Sequence, residues 1–374
     1  MLGWKIVGSS ANVGYMRGHD YVSYFSSRGP TPDGRTKPDV IAPGQPIYSA
    51  ASRSHIIGEC DDNFGVTAKI GTSMATPVVS GSAALIRQYF EDGYYPTGSA
   101  NQGHKMTPSG ALVKAILING AQALQGVDNY YHQTPSSEYD NHQNFGRISL
   151  ADSLALRGKN TIKSLVYDRK VIRDGATHTY AVRIDLNGYG QCTSNKLSAT
   201  LVWMDPPAVS QCTECLINDL DLSIKKRGQG VKHYPNGRMS KDDKNTVERI
   251  RLDVTNGDIF DLYVRGTDLE SVSQKYALVV SGCVHEIMNE APVPVPVPVP
   301  APAPAPAPAP IPVRPNPPSC EDGKEKFLLA VYNRWRPCHW LNTRSPKLKN
   351  RLLSQNCKPG QSAWDICKKT CGRC

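Results

Sequence analysis

Residues 291–318 divide this chain of 374 residues into a large amino-terminal part and a small carboxyl-terminal part. Four Val-Pro units are followed by five Ala-Pro units, so alternate residues lack a backbone amide donor and have a fixed φ. Such a run predicts a polyproline II rod, at about 3.1 Å per residue and roughly 80 Å long. We therefore expect residues 291–318 to act as a spacer.

The carboxyl-terminal part is dense in cysteine and in positive charge. Six of the eleven cysteines follow the spacer, at Cys320, Cys338, Cys357, Cys367, Cys371 and Cys374. Because so small a module buries little apolar surface, we expect disulfides and an oxidising, extracellular compartment. The sequence alone leaves fifteen pairings of six cysteines open.

From residue 320 onward, twelve Lys and Arg stand against four Asp and Glu, in a chain of net charge +10. This charge favours an acidic glycan or a membrane surface as partner, and the cysteines argue against nucleic acid. A solvated basic face without a partner is the alternative.

The last eight residues, Cys-Lys-Lys-Thr-Cys-Gly-Arg-Cys, resemble the end of a sea-anemone-toxin-like (ShKT) domain. That resemblance implies a small disulfide-rich module over residues 320–374. It also implies the pairs Cys320 with Cys374, Cys338 with Cys367, and Cys357 with Cys371. The toxins carry a Lys-Tyr pair shortly before the fourth cysteine, whereas residues 360–366 read Gly-Gln-Ser-Ala-Trp-Asp-Ile. We therefore expect no channel block.

Residues 71–77, Gly-Thr-Ser-Met-Ala-Thr-Pro, place a serine just before a helix rich in small residues. A serine attacks a peptide carbonyl only when a base takes its proton and aligned donors stabilise the oxyanion. At a helix start, the amide of Ser73 has no partner within the helix and lies in the positive end of the dipole. We predict that Pro77 lies in the first turn, where a missing amide costs little. An ordinary serine at a helix start is the alternative for this segment taken alone.

This segment resembles the nucleophile segment of subtilisin-like serine proteases, and residues 25–44 resemble the stretch that precedes it. Residues 108–121 predict a helix from Pro108 to Gly120. Residues 144–150 resemble the aromatic-Gly-Arg turn before the last helix of the family. The resemblance implies a partial, three-layer α/β subtilisin-like domain over residues 1–157. It implies a serine endopeptidase with Ser73 as nucleophile, Gly71 and Thr72 in substrate binding, protein or peptide substrates, and no cofactor for the chemistry.

The family's catalytic histidine and aspartate come earlier in the chain than the serine. None of the nine histidines of this sequence stands in a Gly-rich context that opens a helix. We therefore expect a chain that starts inside a catalytic domain, with the aspartate, the histidine, the oxyanion asparagine and a signal peptide upstream of Met1. The alternative is a non-catalytic secreted binding protein that uses its β-domain and its basic module.

The segment from residue 161 to 284 predicts an all-β domain, because apolar and polar residues alternate along several stretches. Leu197, Ala199, Leu201 and Trp203, for example, alternate with Ser198, Thr200 and Val202. This pattern predicts a sandwich with one face toward water. The order of residues 201–207, 216–222, 245–248 and 276–280 resembles the carboxyl-terminal jelly-roll domain of the oxidatively stable alkaline proteases among the subtilases.

Two smaller sets of residues invite a metal interpretation. Asn218, Asp219 and Asp221 offer oxygen ligands to a structural calcium ion, and the resemblance implies calcium binding. A polar strand edge is the alternative. Cys212 and Cys215 lack a second ligand pair for zinc. We expect them to form a disulfide with Cys192 or Cys283 instead, and Cys60 then has no partner in this predicted pairing.

Overall fold

The computed structural model describes residues 20–51, 66–129, 132–187 and 192–287, together with three short backbone stretches at residues 2–5, 326–329 and 334–337. The chain forms two compact units, Met1–Asn289 and Glu290–Cys374. In the second unit the described residues form an antiparallel hairpin of β17 (Lys326–Leu329) and β18 (Arg334–Pro337). The proline-rich run, Cys60 and the six carboxyl-terminal cysteines lie outside the described residues, so their predicted roles stay predictions.

The first part of the larger unit is built on a mixed five-stranded sheet, with strands in the order β3-β1-β2-β6-β7. Strands β1 and β3 run parallel, as do β2 and β6. A separate hairpin pairs β4 with β5. The strands are β1 (Leu2–Lys5), β2 (Tyr21–Ser23), β3 (Ile41–Gln45), β4 (Ile47–Ala50), β5 (Val66–Lys69), β6 (Gly126–Asp128) and β7 (Gln133–Pro135).

In the described part of this region the α-helices are α1 (Thr72–Glu91), α2 (Gly110–Asn119) and the short α3 (Leu150–Ser153). A 3₁₀ turn covers Gln102–His104. The hydroxyl of Ser109 accepts a hydrogen bond from the amide of Leu112 at 3.1 Å and so caps α2. The predicted helix is therefore confirmed, although it begins two residues after Pro108. Sheet and helices together give residues 20–157 an α/β character.

The predicted turn at residues 144–147 depends on its glycine. Gly146 has a φ of +90°, and a Cβ there would lie 2.1 Å from the carbonyl oxygen of Gln122. Residues other than glycine rarely adopt such a backbone, and this one also leaves no room for a side chain.

Residues 163–286 form two antiparallel sheets, in the orders β13-β10-β15-β8 and β12-β11-β14-β9-β16. The strands are β8 (Lys163–Arg173), β9 (Thr177–Ile184), β10 (Lys196–Trp203), β11 (Asn218–Lys226), β12 (Lys232–His233), β13 (Val247–Asp253), β14 (Ile259–Leu269), β15 (Ser273–Gly282) and β16 (Val284–Glu286). Leu222, Leu262 and Leu278 lie in the core between the sheets. The all-β prediction is confirmed in this form, and the finer jelly-roll assignment stays a prediction.

The prediction that Ser198 and Thr200 face water is wrong. Both are buried, because the four-stranded sheet turns this face toward helix α2. The hydroxyls of Ser198 and Thr200 donate to the side-chain oxygen of Asn119 at 3.0 and 2.8 Å. The amide nitrogen of Asn119 donates to the hydroxyl of Ser281 at 2.6 Å. A period of two identifies a polar face but not whether water or another helix satisfies it.

Apolar residues surround this polar contact. Val202, Val247, Ala277 and Val279 of the sandwich belong to one cluster with the buried residues of α2 and with Ile86 and Phe90 of α1. The helix that carries Ser73 at its start and the outer face of the sandwich thus share one core.

The structure pairs the described cysteines differently from the sequence prediction. Cys192 bonds Cys283 across 91 residues, and Cys212 bonds Cys215 within one loop. The first pair joins two segments that lie side by side in the sandwich. Separately, no helix among the described residues is long and apolar enough to cross a membrane.

Candidate active site

Ser73 is the second residue of helix α1 and is exposed. It borders a cleft of about 610 Å³ whose other wall is the β4–β5 hairpin. Thr72 and Ser73 lie where a helix has no preceding carbonyl groups for its amides. The geometry therefore gives Ser73 access from solvent and an outward-facing amide close by.

Gly71 fixes the entry into this helix. It precedes α1 with a φ of +150°, a value at which a side chain is strained, although a Cβ would have space there. The amide of Gly71 donates to the carbonyl of Gly44 at 2.9 Å, at the end of β3. Its own carbonyl accepts from the amide of Met74 at 3.0 Å. The sheet thereby holds the turn that presents Ser73.

Pro77 lies in the second turn of α1, not in the first as predicted. The helix begins at Thr72, so Pro77 is its sixth residue and would be the amide donor to the carbonyl of Ser73. Proline has no amide hydrogen, and the carbonyl of Ser73 therefore lacks its ordinary helical donor. The sequence prediction went wrong because it judged the helix start from residue type instead of from the backbone of Gly71.

Sequence reasoning did not single out Lys69, which also lines this cleft. Lys69 ends β5 and is exposed. Among the described residues that line the cleft, it is the one ionisable side chain, and none is a histidine. The spacing of four residues between Lys69 and Ser73 is visible in the sequence. Only the structure, however, shows that Lys69 and Ser73 line the same cleft.

The predicted calcium ligands do not all converge. Asn218 lies on the inner side of β11, where its amide nitrogen donates to Gln274 at 2.6 Å and its oxygen accepts from the amide of Ser271 at 3.0 Å. Asp219 bonds Lys241 at 3.0 Å, and Asp221 accepts from the hydroxyl of Thr267. Within residues 20–287 as described, no three Asp, Glu, His or Cys side chains stand close enough to hold one metal ion.

Asp219, Asp221 and Glu248 nevertheless form an electrostatically strained group. Each has one buried carboxylate oxygen without a hydrogen-bond partner among the described residues. Burial, and next the charge of Asp221, raise the pKa of Asp219 to about 7. Burial raises the pKa of Asp221 as well. Burial and the charge of Asp221 raise the pKa of Glu248 well above its usual value.

The chain is similar to known peptidases. Residues 6–142 match the subtilase family, Peptidase S8. The chain is 29% identical over 305 residues to the serine protease/ABC transporter B family protein tagB of Dictyostelium discoideum, an alignment that covers 69% of this chain and 16% of tagB. It is 46% identical over 113 residues to the serine protease AprX of Bacillus subtilis, which covers 29% of this chain and 22% of AprX.

A third similarity, to pyrolysin of Pyrococcus furiosus, reaches 40% identity over 105 residues, which is 28% of this chain and 6% of pyrolysin. The chain thus spans less than a quarter of the length of each of these relatives. The likeness to tagB extends beyond the family-matched segment, since 69% of this chain is more than residues 6–142. The family match and these relatives together show that residues 6–142 are similar to the subtilase family of serine peptidases.

Proposed function

We propose that this protein acts as a serine endopeptidase on proteins and that Ser73 is its nucleophile. The observation that carries the proposal is the position of Ser73, exposed at the amino end of α1 and bordering an open cleft, within the segment that matches the subtilase family. The substrate class follows from the family alone.

In the proposed reaction the Oγ of Ser73 attacks a peptide carbonyl, and the developing oxyanion receives a hydrogen bond from the backbone amide of Ser73. The positive end of the α1 dipole favours that negative charge. Gly71 and Thr72, which form the turn before the nucleophile, would lie against the substrate backbone. The proposal assigns the nucleophile and one oxyanion donor to this chain and leaves the proton acceptor unassigned.

Labelling of the natural protein, with whatever sequence precedes Met1, by a fluorophosphonate probe tests this assignment, because the probe reacts with serines that a base has activated. We expect one labelled peptide, containing Ser73, and loss of the label in S73A. S80A is the matched control, since Ser80 is exposed on the same helix and should leave labelling unchanged. Equal labelling of heat-denatured protein, or labelling that survives S73A, would contradict the proposal and favour the non-catalytic binding protein.

We also propose a structural calcium ion at the sandwich, with Asp219 and Asp221 as ligands and Glu248 in place of Asn218. The support is the presence of three buried carboxylate oxygens without partners, which repel one another and would be relieved by a hard cation. The three carboxylates would have to move closer than they stand in this structure. Thermal unfolding of the full chain in calcium and in a chelator tests the idea. We expect a higher midpoint in calcium for the wild type and no difference for D221N.

We propose that the protein is extracellular. We also propose that residues 320–374, most of which lie outside the described residues, form a ShKT-like module that contacts an acidic glycan or a membrane surface. The support is compositional: six cysteines and a large excess of Lys and Arg. The Cys192–Cys283 disulfide of the sandwich fits the same oxidising compartment. Mass mapping of the non-reduced protein would test the implied pairs Cys320–Cys374, Cys338–Cys367 and Cys357–Cys371.

A further inference from the structure

The sandwich sheet with the strand order β12-β11-β14-β9-β16 carries a cleft of about 540 Å³ on its outer face. The peptidase proposal does not use this cleft. The pairing of β11 with β14 and of β14 with β9 places side chains next to one another in rows on the floor of the cleft. Asp221 of β11 stands opposite Arg265 of β14, which stands opposite Thr177 of β9. In the next row Ser223 stands opposite Tyr263. Because alternate residues of a strand share a face, these side chains point away from the core.

Most of the residues that line the cleft have polar side chains, although their rings and carbon stems make the exposed lining more apolar than polar. Leu222 is the one aliphatic residue among those that line it. Hydroxyl groups come from the tyrosines Tyr234 and Tyr263 and from a set of serines and threonines, Thr177, Ser223, Ser240 and Thr267. A ligand that fills this cleft must therefore exchange many hydrogen bonds with it.

The charges around the cleft are predominantly positive. Lys232, Lys241 and Arg265 line it, against Asp221 alone. Lys241 is paired with Asp219 at 3.0 Å. Lys232 and Arg265 lie near enough to Asp221 to oppose the rise of its pKa, but no close ion pair joins either of them to a described residue. Arg227 on the same sheet, in contrast, is paired with Asp261 at 2.8 Å. The cleft thus presents two cations that a negative ligand could neutralise.

Aromatic rings complete the lining. The ammonium group of Lys232 lies 5.3 Å from the centre of the Tyr234 ring, which places a positive charge and a flat apolar surface side by side. Tyr263 is half-buried and offers its ring and its hydroxyl together. Flat rings flanked by hydroxyls and cations match a ring-shaped ligand that has apolar faces, polar edges and negative substituents.

We propose that this cleft binds an anionic saccharide, a sugar chain bearing carboxylate or sulfate groups. Sugar rings would pack on Tyr234 and Tyr263, and the acidic groups would pair with Lys232 and Arg265. An acidic peptide fits less well, because its side chains would need apolar pockets and only Leu222 contributes aliphatic surface. This site belongs to the sandwich and is separate from residues 320–374.

Calorimetric titration of the full chain with a sulfated, uronate-containing tetrasaccharide tests the proposal, with maltotetraose as the neutral probe of equal length. We expect the wild type to bind the sulfated probe at least tenfold more tightly than maltotetraose. R265E and K232E should each weaken the sulfated probe about tenfold, with a shallower dependence on salt. Y263A should weaken it without changing that dependence.

K275E is the matched control, because Lys275 is exposed on the opposite sheet. Its affinity should stay within twofold of the wild type, since it carries the same change of charge and the same basic residues 320–374. Equal weakening by K275E, or wild-type affinity in R265E and K232E, would overturn the proposal and assign any binding to residues outside the cleft. Should R265E fail to fold, K232E decides alone, because Lys232 is an exposed residue of a two-residue edge strand.

Discussion

The guanidinium group of Arg249 lies fully inside the protein and donates to the carboxylate of Glu138 at 2.9 Å, across the boundary between the sandwich and the segment that matches the subtilase family. It also donates to the carbonyl oxygens of Ile118, Ala121 and Phe145, at 2.8 to 3.2 Å. Burial lowers the pKa of Arg249 and is the largest influence on it. One side chain of the sandwich thus bonds carbonyls near the end of helix α2, just after it and in the segment around Phe145.

Replacement of Arg249 should therefore destabilise the whole larger unit. R249M removes a fully buried partner of the Glu138 carboxylate and a donor to the carbonyls of Ala121 and Phe145, and we expect a loss of about 3 to 5 kcal/mol in the free energy of unfolding. R251M is the matched control, since Arg251 also donates to Glu138, at 2.8 Å, but is partly exposed. It should cost about 1 kcal/mol or less. Urea unfolding measures both, and equal losses would show that burial of Arg249 contributes nothing.

Asn119 should couple the two layers in a measurable way. N119A removes the side chain that bonds the buried hydroxyls of Thr200 and Ser281, whereas Ser198 keeps the backbone carbonyl of residue 119 as its acceptor. We expect a cost of about 3 kcal/mol. T200V removes one donor and keeps the shape, so it should cost about 1 kcal/mol. The double variant should lose less than the sum, and strict additivity would contradict a direct coupling.

Oxidation of Met74 should impair Ser73. Met74 follows Ser73 directly and lines the same cleft, so its sulfoxide would bring a polar oxygen beside the nucleophile. We expect peroxide to slow fluorophosphonate labelling of the wild type and to leave M74L unaffected. Unchanged labelling, while mass spectrometry shows Met74 oxidised, would refute this expectation.

Two glycines should respond to alanine in opposite directions. G146A places a Cβ 2.1 Å from the oxygen of Gln122 at a positive φ, so we expect a loss above about 3 kcal/mol or failure to fold. Gly81 lies within α1, and a Cβ there meets nothing within 4 Å. G81A should therefore gain about 0.5 to 1 kcal/mol. Thermal unfolding of both variants provides the comparison.

The buried carboxylates should make stability depend on pH in a defined direction. The pKa of Asp219 is raised to about 7, and that of Glu248 is raised as well, so the folded state keeps protons that the unfolded chain releases above about pH 4. In a chelator, stability should thus fall as pH rises from about 4 to 7. D219N should flatten this slope, and calcium should reduce it. A slope that D219N leaves unchanged would show that other groups dominate, with Glu270 first among them, since burial raises its pKa to about 8.

Alternation predicted the sandwich core well where a strand has core on one side and water on the other. In β14, Phe260, Leu262 and Val264 are buried and Arg265 is exposed, as their spacing indicates. The same rule failed in β10, because its second face lies against α2. A sequence period reports that two faces differ, and it cannot report what packs on either of them.

Only those features of the site that depend on neighbouring residues in the sequence could be predicted. The small residues around Ser73 indicated a helix start, and the structure places Ser73 there. The cleft, the position of Lys69 and the displacement of Pro77 into the second turn depend on the backbone of Gly71 and on the pairing of β4 with β5. Such long-range pairings leave no mark in a single sequence.

Helix α2 is buried on nearly every side, and the side facing the sandwich is covered by Val202, Ala277 and Val279. A polypeptide cut after residue 157 would turn that side toward water and would lose the hydrogen bonds that Arg249 donates to Ile118 and Ala121. We expect such a truncated product to precipitate, or to be degraded by the host's proteases, whereas a product ending at residue 287 should stay soluble. Any expressed fragment should therefore contain both the α/β part and the sandwich.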